Sequence, residues 1–357
     1  MKNVILASTA IIICLVMMEF ALSLHEKYAY MDAYRPSGDV VHLQGLNYND
    51  TEIAKVKPDD EFRILSFGDS FCHATVSPPF SYNGILESRL RDNNLTVRVV
   101  NFGEPLSSIP QYLATLKNWA PQIDHDMILI NIFAINDLGE LARNDLEDDL
   151  HLNRIMGELF INSQTGHKRL DHVPHVFPLR LMDYLHAIYY YFKDGSVIYR
   201  EIPPPYTLAL GPVTPESFAK VVENDLAVCD NDAQAIHRPA LERVKELADL
   251  LSTMRKQGKR ILILISPSEI QINPALFHET VTRLHRDPNR YDLNLPNAMV
   301  RDAIQAVDPE LEIFDLTPLL RETMAQGVNP YYPLDAHWSA VGNRIVGEAL
   351  ADHLSRP

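Results

Sequence analysis

The stretch RILSFGDSFCHA, residues 63–74, begins with an apolar run that a glycine, an acid and a serine bring to an end. A short run of this kind predicts a strand that is buried on both faces and followed by a turn. Four similar runs follow along the chain: VRVVNF at 97–102, MILINIF at 127–133, RILILIS at 260–266 and LEIFDL at 311–316. Because segments with helical periodicity separate them, we predict an α/β fold with a central, mostly parallel sheet. Right-handed crossovers would wind it into a three-layer α/β/α sandwich.

The composition limits the kind of protein and the kind of partner. A chain of 357 residues with 46% hydrophobic residues can bury a large core. The formal net charge of −15 disfavours a nucleic-acid partner, because no excess of Lys and Arg is present to replace phosphate counterions. The three cysteines are too few and too irregularly spaced for a disulfide framework or a structural zinc site, although a bridge between Cys72 and Cys229 stays open. We expect no metal and no cofactor.

The N-terminal segment from Val4 to Leu24 is nearly unbroken apolar sequence, about as long as a helix that spans a bilayer. We favour an uncleaved membrane anchor over a cleaved signal peptide, because ALS at 21–23 is a poor cleavage site. A buried core helix is the remaining alternative. The anchor and the signal peptide both predict that the rest of the chain is exported to the periplasmic or extracellular side.

The polar sequence that follows, with two prolines and a glycine, predicts a stalk over residues 25–60 between segment 1–24 and a folded domain over 61–357. Residues from about 141 to 231 fit the alternation of strands and helices less well, and we interpret them as an insertion. The tyrosine-rich stretch within it is typical of packing, and it could also roof a substrate cleft.

Polar residues follow the predicted strands at the positions where an open α/β sheet binds its ligands, the carboxyl ends of the strands. These groups are Gly68-Asp69-Ser70, Asn101-Phe102-Gly103, Ala134-Ile135-Asn136-Asp137 and, near the C-terminus, YYPLDAHWSAVGN at 331–343. Each has an ordinary structural explanation: a serine or an asparagine after a strand commonly caps a helix, and a glycine commonly forms a turn. Their joint occurrence at strand ends favours a chemical site.

The residue types match the needs of ester cleavage by a serine, which are a hydroxyl, a base, an orienting acid and donors for the developing oxyanion. Ser70 supplies the hydroxyl, His337 the base and Asp335 the acid. The backbone N–H groups of Ser70 and Gly103 and the side-chain amide of Asn136 are the candidate oxyanion donors.

These motifs resemble the four blocks of the SGNH hydrolases, also called GDSL-type esterases and lipases, over roughly residues 61–357. The blocks, which centre on Ser, Gly, Asn and His, are FGDSF, NFGEP, INIFAINDL and DAHWSAVGN in this chain. The resemblance implies a flavodoxin-like three-layer fold and an acyl-serine intermediate. The family's histidine block commonly reads Asp-x-x-His, whereas this chain has Asp335-Ala336-His337-Trp338. That form is similar to the SGNH-like domains of polysaccharide O-acetylation proteins.

Three functions are compatible with these features. The first is a membrane-tethered serine esterase that hydrolyses an acyl ester, including an O-acetyl ester on a glycan. The second is an O-acetyltransferase that modifies an envelope or exported polysaccharide, alongside a membrane acyl-donor protein. The third is a catalytically silent glycan-binding module, which the complete set of Ser, Gly, Asn, Asp and His disfavours.

Overall fold

The chain is described by a computed structural model over the larger part of its length. The N-terminal segment is described only at residues 13–21, which are helical, and the rest of the predicted anchor lies outside the described residues. Within the described part of the chain, no helix has the length and apolar character needed to cross a membrane. The described residues are 13–21, 40–42, 50, 52–92, 96–105, 107–143, 214–232 and 237–355.

In the ranges that the structure describes, seven strands form two sheets. Their bounds are β1 Val40–His42, β2 Glu52–Ala54, β3 Phe62–Gly68, β4 Val97–Gly103, β5 Met127–Phe133, β6 Arg260–Ser266 and β7 Glu312–Asp315. Strands β1 and β2 form an antiparallel pair. The other five strands form a parallel sheet in the order β4-β3-β5-β6-β7. The predicted α/β class with a central parallel sheet is therefore confirmed.

Eleven labelled helices connect or flank the strands in the described part of the chain. They are α1 Ser70–His73, α2 Tyr82–Asp92, α3 Ile109–Trp119, α4 Ala134–Arg143, α5 Pro215–Val228, α6 Arg238–Lys256, α7 Glu269–Ile272, α8 Pro274–Arg283, α9 Leu295–Val307, α10 Thr317–Ala325 and α11 Ala340–Leu354. Short 3₁₀ turns lie at Pro78–Phe80 and Pro288–Arg290.

The strand order explains where a site can form. The chain passes from β3 to β4 in one direction across the sheet and then returns past β3 to β5, so the order reverses between β3 and β5. Right-handed crossovers place α2 and α3 on opposite faces for this reason. In agreement, α2 contacts α11, whereas α3, α4 and α9 all contact α6. Ligands of open sheets bind at such a reversal, beyond the carboxyl ends of the strands.

The predicted insertion, about residues 141–231, begins and ends in helices that pack in the same domain as the parallel sheet. Residues 141–143 complete α4, and α5 buries Phe218, Val222 and Leu226 while it contacts α4, α7 and α8. The part of the insertion between them, residues 144–213, lies outside the described residues. Cys72 and Cys229 are both free and buried, so no bridge joins them.

Candidate active site

A sharp corner between β3 and α1 places Ser70 at the carboxyl edge of the sheet. Gly68 ends the strand, and a Cβ added there would lie 2.8 Å from the backbone oxygen of Asn131 and 2.8 Å from the Cβ of Cys72. Asp69 caps the helix, because its Oδ1 accepts a hydrogen bond of 2.9 Å from the N–H of Phe71. Ser70 is consequently the first helical residue and not the N-cap, so its hydroxyl is available for another partner.

That partner is His337, which lies 267 residues further along the chain. The Nε2 of His337 is 2.9 Å from the Oγ of Ser70, and its Nδ1 is 2.6 Å from the Oδ1 of Asp335. The His337 and Asp335 side chains are 19% and 12% exposed, and Ser70 is half-buried. The structure thus brings Ser70, His337 and Asp335 together in the order that the sequence predicted.

The loop that carries the histidine uses backbone conformations that its residue types rarely adopt. Leu334 and Ala336 have φ values of 60° and 63°, on either side of Asp335. For residues other than glycine this region costs roughly 1–2 kcal/mol each, and such strain is concentrated at functional sites. A hydrogen bond of 2.9 Å from the Tyr332 N–H to the His337 oxygen closes the loop. Ala336 lies between Asp335 and His337, and its left-handed conformation occurs where these two side chains, only two positions apart, are in contact.

Aromatic side chains pack beside the imidazole. The Phe71 ring lies 5.4 Å from the His337 ring, 4.7 Å from the Trp338 ring and 4.6 Å from the Phe133 ring, measured between centroids. Phe71 and Trp338 are buried. Because Phe71 follows Ser70 directly, this packing fixes the histidine against the same turn that carries the hydroxyl.

The charges around the imidazole favour its protonated form. Burial lowers the pKa of His337, but the hydrogen bond and charge of Asp335 and the charge of Asp69 raise it further, so that the pKa lies above its ordinary value. Burial also raises the pKa of Asp69 to about 6, against the lowering effects of the Phe71 N–H and of His337. Two carboxyl groups therefore act on one histidine.

Replacing Asp69 with asparagine is expected to move the acid limb of the kcat/KM profile to lower pH. Asparagine caps a helix as well as aspartate does, so the bond to the Phe71 N–H is retained. Loss of the negative charge lowers the pKa of His337, and a histidine that acts as the base is active when neutral. The limb is measured with a chromogenic acetyl ester, and an unmoved limb would show that Asp69 does not act on His337.

A second measurement on the same variant tests the burial of Asp69. A carboxyl group whose folded pKa is raised stabilises the fold at low pH and loses that contribution as the pH rises through about 6. The gain in Tm of Asp69→Asn over the wild type should therefore be larger at pH 8 than at pH 4. Asp59→Asn, at an exposed position, is the control that should move neither the limb nor this difference.

The three predicted oxyanion donors have different surroundings. Asn136 is the third residue of α4, directly after β5, and is half-buried; its side chain has no hydrogen-bond partner among the residues that the structure describes. The Ser70 N–H lies at the start of α1. The Gly103 N–H, in contrast, donates to the Oδ1 of Asn101 at 2.8 Å. The sequence predicted the Gly103 N–H as an oxyanion donor, a role for which it would have to exchange its bond to Asn101 for one to the substrate.

Asn101 belongs to the group that follows the second predicted strand, but the sequence assigned no role to its side chain. It stands two positions before Gly103, and its buried side chain contacts the turn that carries Ser70. An asparagine at the end of a strand was the available signal. No group of three or more His, Cys, Asp and Glu side chains suited to a metal ion occurs in the described ranges.

Comparison with known proteins finds one family model that matches the C-terminal part of the chain. Residues 229–357, which include Asp335 and His337, match the family model described as the SGNH hydrolase-like domain of acetyltransferase AlgX. No curated protein sequence matches the chain.

Two solved structures that are similar to this chain have TM-scores below 0.5 and low sequence identity. The acetyl xylan esterase AlAXEase is 12% identical with a TM-score of 0.41, over 82% of this chain and 100% of that one. A catalytic mutant of Axe2, an acetylxylan esterase from Geobacillus stearothermophilus, is 15% identical with a TM-score of 0.42, over 85% and 97%. The C-terminal third of the chain thus matches an SGNH hydrolase-like family model, and the four blocks of its sequence resemble those of the SGNH hydrolases.

Proposed function

We propose that this protein is a serine esterase that cleaves an acyl ester, an O-acetyl ester in the first instance, through an acyl-serine on Ser70. The observation that carries the proposal is the continuous contact from the Ser70 hydroxyl to His337 and from His337 to Asp335. With a proton on Nδ1 shared with Asp335, the Nε2 of His337 has a lone pair directed at the hydroxyl. Ser70 and Asp335 are thereby joined through one imidazole.

In the first half-reaction the Ser70 oxygen attacks the ester carbonyl as His337 takes the hydroxyl proton. The tetrahedral intermediate carries a negative oxygen, which the Ser70 N–H and the Asn136 amide would stabilise. The intermediate collapses when the bond to the leaving alcohol breaks, and His337 returns the proton to that alcohol. In the second half-reaction an acceptor hydroxyl loses its proton to His337 and attacks the acyl carbon. The bond between that carbon and the Ser70 oxygen then breaks as His337 returns the proton to Ser70, so that the acceptor carries the acyl group and the serine hydroxyl is restored.

The identity of that acceptor separates two enzymes with the same site. Water makes the protein an esterase, and a sugar hydroxyl makes it an O-acetyltransferase. The match of residues 229–357 to the SGNH hydrolase-like domain of an acetyltransferase favours the second as the alternative function. In that case the acceptor would be an envelope or exported polysaccharide, and a membrane acyl-donor protein would supply the acetyl group. A silent glycan-binding module is the third candidate.

We also propose that the apolar segment from Val4 to Leu24 tethers the protein to a membrane and that its site faces the exported side. The length of the apolar run supports this location. A tethered domain would act on acylated glycans at the surface of that membrane.

The functions are distinguished with the full chain, 4-nitrophenyl acetate and acetyl-free xylan or mannan oligosaccharides as acceptors. Release of acetate at the same rate with and without acceptor identifies an esterase, whereas acetyl groups found on the glycan by mass spectrometry identify a transferase. Folded protein that releases no nitrophenol would overturn both and leave the binding module.

A further inference from the structure

The helical turn that carries Ser70 has only four residues, so its last carbonyl groups need partners from outside the helix. The Cys72 oxygen accepts hydrogen bonds from the Nδ2 of Asn101 at 3.0 Å and from the Nδ2 of Asn83 at 3.2 Å. The His73 oxygen accepts a third, at 3.4 Å, from the same Nδ2 of Asn101. Asparagine side chains therefore satisfy the C-terminal end of the turn.

Asn101 is itself fixed from several sides. It is 3% exposed at the end of β4, and its backbone N–H donates to the Oδ2 of Asp50 at 2.8 Å. Its Oδ1 accepts from the Gly103 N–H at 2.8 Å and faces the Sγ of Cys72 at 3.5 Å. One buried amide thus joins the end of β4 to the far end of the turn that begins at Ser70.

The turn and the strand end are also in close backbone contact. A Cβ added to Gly103 would lie 2.1 Å from the N atom of His73 and 2.5 Å from the carbonyl carbon of Cys72. Glycine is therefore required at this position for the backbones to approach. The Asn101 hydrogen bonds act across this contact and resist any movement of the turn away from β4.

We infer that Asn101 is a positioning residue, which holds the turn so that the Ser70 hydroxyl stays within reach of His337. The inference rests on the proposed function of Ser70 as the nucleophile. Asn101 acts through the carbonyl groups of Cys72 and His73, on the side of the turn opposite to its first residue. The distance of 2.9 Å between the Ser70 Oγ and the His337 Nε2 depends on the orientation of the turn, because His337 approaches from a separate loop.

The test compares Asn101→Ala with Asn297→Ala. Asn297 is buried to a similar degree and is hydrogen-bonded to Thr317 and Gln271. It lies on α9, and its hydrogen bonds involve neither the turn of Ser70 nor His337. We expect Asn101→Ala to react with a fluorophosphonate probe 10-fold to 100-fold more slowly than the wild type and to lower kcat for 4-nitrophenyl acetate similarly, with KM within twofold. Asn297→Ala should react at the wild-type rate, although it loses stability in urea.

A second variant isolates the contact with the turn if alanine prevents folding. A serine at position 101 can still accept from the Gly103 N–H, as serine does in short turns, but it does not reach the carbonyl groups of Cys72 and His73. Asn101→Ser should therefore show the same slow labelling. A folded Asn101 variant that labels at the wild-type rate would overturn the inference, whereas wild-type protein that resists the probe, or Ser70→Ala that is still labelled, would overturn the proposed function instead.

Discussion

The variant Ser70→Ala is expected to lower kcat for an acetyl ester by about 10⁶-fold while the fold is retained. Removal of a serine nucleophile abolishes the acyl-enzyme route, and the remaining rate comes from binding and from the oxyanion donors. Stability should change little, because Ser70 is half-buried and Asp69, not Ser70, caps the helix. The measurements are the initial rate of nitrophenol release and the urea unfolding midpoint.

The matched control is Ser81→Ala. Ser81 is buried, and its hydroxyl donates to the Pro78 oxygen at 2.7 Å and accepts from the Gly84 N–H at 3.1 Å. The variant therefore tests the loss of a serine hydroxyl whose partners are structural. It should lose about 1 kcal/mol of stability and keep its turnover within twofold. If folded Ser70→Ala retained a tenth of the wild-type rate, the nucleophile would have to be another group or an activated water.

The fold could be predicted from the sequence because it depends on a repeated local pattern. Five continuous apolar runs predicted five strands, and the structure places a parallel strand at each of them. His337 follows no strand and was assigned from its residue type and the resemblance of its block, whereas the position of Ser70 followed from the rule that ligands bind at the carboxyl edge of such a sheet. That rule needs only the order of the elements and no knowledge of side-chain contacts.

The details of the site could not be predicted, because they depend on contacts between distant segments. Gly103 was predicted to supply an oxyanion donor, and the sequence did not show that the Asn101 side chain accepts a hydrogen bond of 2.8 Å from the same N–H. Ala336 adopts a positive φ that alanine alone would not suggest, and this conformation lies between the acid and the histidine. The cap of the nucleophile helix likewise belongs to Asp69, one residue before the serine that the sequence offered for both roles.

Replacing Asn136 with alanine is expected to lower kcat by roughly 10²–10³-fold, the usual effect of losing one oxyanion donor, with little change in KM. The hydrogen bond from Asn136 to the oxyanion does not exist in the ground state, because the negative charge has not yet formed. Its loss therefore raises the energy of the tetrahedral intermediate and leaves substrate binding nearly unaltered. Both constants are obtained from nitrophenol release over a range of ester concentrations. A KM effect with kcat unchanged would assign Asn136 to substrate binding.

The variant Asn136→Asp separates this role from a purely structural one. Asn136 is the third residue of α4, and an acidic residue in the first turn of a helix stabilises it through the helix dipole. If Asn136 served only the helix, aspartate would be at least as good as asparagine, and alanine would be the worst of the three. If Asn136 donates to the oxyanion, a carboxylate there repels the developing negative charge, so that turnover falls from asparagine to alanine to aspartate. Because the two roles predict opposite orders for alanine and aspartate, the ranking identifies the role of Asn136 even if the absolute losses are small.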